Sequence, residues 1–147
     1  MKRVLVVMVS ISLMAAGLAA CQPSPGGGQI VISDAWGRPS PMEDSNAAVY
    51  MLIRNTGLED DRLIGVSSGV AEAVELHDMT MENDVMKMFP VDYMELPAGG
   101  SLELKPGGKH IMLIGLHEML EVGQTAMVVL EFEKAGEMTV EAEIRDE

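Results

Sequence analysis

Between His77 and Met112 the chain carries three short pairs of soft-metal donors: His77 with Met79, Met86 with Met88, and His110 with Met112. Two of the 3 histidines and six of the 14 methionines fall in this stretch. Thioether sulfur is a soft, uncharged donor and imidazole suits copper, so a mixed set of the two favours Cu(I). Histidine and methionine side chains are all neutral as ligands. A Cu(I) ion among them keeps a single positive charge, whereas Zn(II) would keep two and normally draws on cysteine, histidine and carboxylates. Tetragonal Cu(II) favours nitrogen and oxygen donors, and only two nitrogens are offered. The donor set therefore ranks Cu(I) above Cu(II) above Zn(II).

Strands must position these residues. Side chains two apart share a face of a strand, so each of the three pairs lies in phase. A hairpin turning at Glu82-Asn83 is predicted to place His77 across from Met88 and Met79 across from Met86. On its other face the same register pairs Val74 with Val91, Leu76 with Phe89, and the opposite charges Asp78 and Lys87. Val74 and Leu76 mark the core face, and the donors occupy the opposite one together with Glu75.

Strand-like runs recur along the rest of the chain: 30–36, 47–54, 62–66, 71–79, 85–89, 93–96, 101–104, 110–116, 125–132 and 138–144. Turn signals such as Asn55-Thr56-Gly57, Pro97-Ala98-Gly99-Gly100 and Pro106-Gly107-Gly108 separate them. The pattern predicts one all-β domain over residues 30–147, an antiparallel sandwich or barrel.

The run His77, ten residues, Met88, twenty-one residues, His110, one residue, Met112 resembles the signature of the periplasmic copper chaperones known as the PCu(A)C family. Asp34-Ala35-Trp36, Arg54-Asn55-Thr56-Gly57, Val74-Glu75-Leu76-His77 and Leu104-Lys105-Pro106-Gly107-Gly108 extend the resemblance to roughly residues 30–144. It implies a cupredoxin-like antiparallel β-sandwich or barrel that holds one Cu(I) and supplies copper for cytochrome oxidase assembly. The partner so implied is the copper-bearing subunit of cytochrome c oxidase or another copper-assembly protein. Met79, Met81 and Met86 are expected as a secondary shell, a transfer path or packing. Two alternatives stand beside this reading. One is a copper-sequestering or copper-sensing lipoprotein without a dedicated delivery partner; the other is a structural lipoprotein with a methionine-rich core.

Residues 1–20 read as an export signal, with Lys2 and Arg3 ahead of the apolar run from Val4 to Ala20. Leu18-Ala19-Ala20 before Cys21 resembles a bacterial lipobox, which implies that Cys21 becomes the lipid-bearing first residue of the mature chain. Residues 21–29 then form the anchor and a Pro/Gly-rich linker, and the eight residues after Cys21 reach at most about 29 Å. The expected location is the extracytoplasmic face of a bacterial membrane.

Several function classes are excluded. Cys21 is the only cysteine, so a domain beginning at Ile30 has no thiolate for a blue-copper electron-transfer site and no internal disulfide. Loss of Lys2 and Arg3 with the signal leaves 8 of the 10 basic residues against 23 acidic ones, moving the formal charge from −13 to −15. That balance disfavours nucleic acid and leaves membrane attachment to the lipid. No nucleophile–histidine–acid constellation or phosphate loop is present, and no enzyme chemistry is expected. Trp36 is expected as a core aromatic at a strand end, His117 as a loop residue remote from the site, and Glu59-Asp60-Asp61 as a solvated turn.

Overall fold

The computed structural model describes residues 29–40, 42 and 45–146. The expected signal peptide, Cys21 and all of the linker but Gln29 lie outside the described residues. Ten strands form: β1 (Ile30–Gly37), β2 (Ala47–Asn55), β3 (Asp61–Ser67), β4 (Ala71–Glu82), β5 (Val85–Pro90), β6 (Met94–Leu96), β7 (Ser101–Leu104), β8 (His110–Leu116), β9 (Thr125–Phe132) and β10 (Gly136–Ile144). Each of the ten runs read from the sequence is a strand, and the described residues contain no helix.

The strands pair in the order β5-β4-β8-β2-β1-β10-β9-β3-β6, with β7 joined to β2. The pairings are antiparallel except β1 with β10, which is parallel. β3 also lies against β4, and β6 against β7, so the sheet curls round and closes over its own inner face. Alternation supplies that face. In β9, Ala126, Val128, Leu130 and Phe132 are buried while Thr125, Met127 and Glu131 are exposed. Each fully buried aliphatic or phenyl side chain contributes about 1.5–3 kcal/mol.

The β4–β5 hairpin departs from the predicted register. His77 lies opposite Pro90, Met79 opposite Met88, and Met81 opposite Met86. The turn is Asn83-Asp84, with φ of 51° and 62°. A two-residue hairpin turn of the favoured hand needs positive φ at both positions, which Asn and Asp tolerate and Glu does not. The turn therefore moves one residue along the chain and the partner of each β4 residue moves by two. An even shift preserves the faces, so His77, Met79, Met81, Met86 and Met88 still share one side. Asp78 pairs with Lys109, the residue just before β8, rather than with Lys87.

A second irregularity sits in β1. Its register against β2 shifts between Ser33 and Trp36, where Asp34 adopts a φ of 50°. Ile30 and Ile32 face the core ahead of this bulge. Unbroken alternation would send Trp36 inward after them. The extra residue turns it to the opposite face, where it meets Tyr50.

Asp61 is also not the solvated turn residue expected. It is buried at the start of β3. Its carboxylate accepts hydrogen bonds from the backbone N–H groups of Arg62 at 2.8 Å, Lys134 at 2.9 Å and Ala135 at 3.0 Å. Those bonds clasp the β9–β10 turn to β3.

Candidate metal centre

Strand β4 lies antiparallel to β8 with His77 directly opposite His110 and Glu75 opposite Met112. The neighbouring core pair, Leu76 with Ile111, points the other way. The two histidines thus stand side by side on the outer face of these two strands, with the core on the inner face. Their ring centroids are 5.7 Å apart, and both residues are buried.

The row continues across the sheet. Tyr50 of β2 lies 6.4 Å from His110 between ring centroids, and Trp36 of β1 lies 4.7 Å from Tyr50. Arg145 sits over the Trp36 ring at 5.3 Å and donates to Asp34 Oδ1 at 2.7 Å. The bulge residue therefore fixes the cation that covers the end of the row. Trp36, expected in the core, is instead part of the wall beside the histidines.

Hydrogen bonds define both imidazoles. His110 Nδ1 is 2.8 Å from the Gly108 carbonyl, which can only accept, so the proton is on Nδ1 and the Nε2 lone pair is left for a ligand. His77 Nε2 donates to Glu75 Oε2 at 2.7 Å, so its lone pair is on Nδ1. That Nδ1 is buried with no hydrogen-bond partner. A buried polar atom left unpaired costs about 1–3 kcal/mol, and a metal ion would satisfy this one. Anchoring the second ring nitrogen to a carboxylate or carbonyl is also how metal-bound histidines are held in other proteins.

The thioethers flank the pair. Met112 is two residues along β8 from His110 on the same face and half-buried. On the hairpin side, half-buried Met79 adjoins His77 along β4, and Met88 stands opposite Met79, diagonal to His77. Met86 and Met81 lie further toward the hairpin tip. No group of three or more His, Cys, Asp or Glu side chains that could hold a metal occurs among the described residues. The soft donors that flank the two histidines are the thioethers of methionine, a donor type that suits Cu(I) rather than zinc. His117 is exposed and its Nδ1 lies 3.2 Å from the Gly69 carbonyl, outside the row.

Sequence reasoning did not find Tyr50, nor the anchoring roles of Glu75 and Gly108. Glu75 carried a signal, since it shares a strand face with His77 at a spacing of two. Tyr50 carried none, because its place depends on the pairing of β2 with β8.

Residues 30–144 match the family described as "Putative lipoprotein LpqE-like". "Putative lipoprotein Lxx21020" of Leifsonia xyli subsp. xyli (strain CTCB07) is 30% identical over 143 residues, covering 95% of this chain and 85% of that protein. The copper-bound PCuAC domain from PmoF2 is similar with a TM-score of 0.68 at 34% identity, covering 82% of this chain and 96% of that one. The solution structure of Cu(I)-DR1885 from Deinococcus radiodurans is similar with a TM-score of 0.55 at 27% identity, over 86% of this chain and 83% of that one. The fold is accordingly the cupredoxin-like all-β fold of PCuAC domains.

Proposed function

The chain belongs to the LpqE-like lipoprotein family, and on that premise we propose that it is an exported, lipid-anchored copper chaperone carrying one Cu(I) per domain. The ligands are His77 through Nδ1, His110 through Nε2, and the thioethers of Met88 and Met112, with Met79 as the nearest further donor. The observation that carries this reading is the buried, unpartnered Nδ1 of His77, in a ring 5.7 Å from a second anchored imidazole. Copper bound by the similar PmoF2 and DR1885 domains supports the choice of ion.

The site's construction suits carriage rather than catalysis. Both imidazoles are held by second-atom hydrogen bonds, so the nitrogen donors are in place before the ion arrives. The sulfur donors stand on longer, flexible stems and are individually weak, which allows stepwise release to a stronger receiving site. Residues 1–20 as a signal peptide, Cys21 as the lipidated residue and residues 21–29 as anchor and tether complete the arrangement. They would keep the domain at the extracytoplasmic face of the membrane, within reach of a membrane-bound recipient.

The recipient we propose is the copper-bearing subunit of cytochrome c oxidase. Cu(I)-loaded protein mixed with the soluble copper domain of that subunit should transfer its ion faster than a small chelator of matched affinity releases it. Equal rates would overturn delivery and leave a sequestering protein.

A further inference from the structure

The β4–β5 hairpin carries more thioethers than the proposed ligand set uses. Met79 with Met88, and Met81 with Met86, are directly opposed on one face. Opposed positions place Cβ atoms roughly 4.5–5.5 Å apart, and the flexible methionine side chain lets two facing sulfurs close on one soft ion. None of the four belongs to the hydrophobic core. Exposure climbs from 3% at His110 and 9% at His77 to 45% at Met88, 48% at Met86 and 64% at Met81. Packing would bury such side chains, and here they form a file from the buried imidazoles to solvent. Met86 also reaches back over the β7–β8 turn. Its Cε is 3.8 Å from where a Cβ would stand on Gly107, next to the Gly108 carbonyl that holds His110.

We propose that Met81 and Met86 form an outer Cu(I) station through which the ion enters and leaves the His77/His110 site, with Met79 and Met88 as the intervening donors. This deepens the copper-carrying reading and rests on it. Each step exchanges one neutral donor for another: a Cu–S bond forms at the outer pair as a bond to an inner ligand breaks. Copper stays Cu(I), and neither a proton nor an electron moves. Two thioethers alone hold the ion weakly, as a stepping stone requires. A stepping stone speeds loading and unloading alike and leaves the equilibrium affinity unchanged.

The test compares the full chain with its Met81→Leu/Met86→Leu variant, using Cu(I) and a chromogenic Cu(I) chelator in stopped flow. Leucine keeps the apolar bulk and removes the sulfur. Loading and unloading should both slow by roughly tenfold, equivalent to about 1.4 kcal/mol in the barrier, at unchanged affinity. Unchanged rates would overturn the station and leave the exposed face as an apolar docking surface at most. A loss of affinity would also overturn it, by making the pair ligands of the inner site. In a His77→Ala/His110→Ala variant with methyl-labelled methionines, the Met81 and Met86 methyl signals should shift on adding Cu(I); unshifted signals would overturn the station. Wild-type protein that takes up no Cu(I) would refute the copper reading itself, whereas binding at the variant's rates refutes only the station.

Discussion

At the scale of single residues, the site depends on where each imidazole keeps its proton. Glu75→Ala frees His77 to turn its ring and should weaken Cu(I) binding by about 10–100-fold, while leaving thermal stability nearly unchanged because Glu75 is exposed. Chelator competition would measure the first effect and thermal melting the second. Next to the histidines in sequence, Asp78 of β4 forms an ion pair with Lys109 in the turn before β8. Partial burial pushes the Asp78 carboxyl up. The Lys109 hydrogen bond, the Met79 N–H at 2.8 Å, the Lys109 charge and the nearby His110 outweigh it and hold the pKa below the usual carboxylate value. A lowered folded-state pKa contributes stability that is present above the unfolded carboxylate range and is lost as pH falls through the folded value. Asp78→Asn should therefore lose about 1 kcal/mol at neutral pH and converge with the wild type in strong acid, as read from urea midpoints at several pH values. The donor types, their order and their shared strand face were legible in the sequence, because spacing by two fixes a face wherever a strand forms. The Trp36–Tyr50–His110 row was not, because residues so far apart meet only through strand pairing and the bulge at Asp34.

At the scale of elements, all ten strands could be read from alternation and turn residues, since each buries one side against a common core. What failed was the hairpin register, and a single backbone requirement explains it. The predicted turning pair is Glu82-Asn83, whereas the observed pair, Asn83-Asp84, supplies two residues tolerant of positive φ. Asp84→Gly should thus stabilise the protein by about 0.5–1 kcal/mol, because glycine carries no left-handed penalty. Asp84→Val should lose about 1–2 kcal/mol for the converse reason. Asp61 makes a comparable point for a buried acid. Composition placed it in a polar run, yet three backbone N–H groups converge on it. Asp61→Ala should cost about 1–3 kcal/mol or more by leaving those donors unpaired, again measurable by urea unfolding.

At the scale of the whole molecule, the curled sheet separates two tasks. Its inner face stabilises the fold, while the outer face of β4 and β8 carries the histidine pair, so ligand replacement should leave the domain folded. The proposed anchor belongs to this scale too: Cys21→Ser should turn a membrane-associated protein into a released or unprocessed one, and wholly soluble wild-type protein after export would contradict lipidation. The overall fold and the copper signature were both legible because one reflects repeated alternation and the other a fixed spacing of rare donors. The most direct test of the copper centre is a Cu(I) titration against a competing chelator for the wild type, His117→Ala, and His77→Ala/Met88→Ala. The account predicts one tight equivalent for the first two, and for the double variant a folded domain that has lost tight binding. Undiminished tight binding by the folded double variant would contradict it.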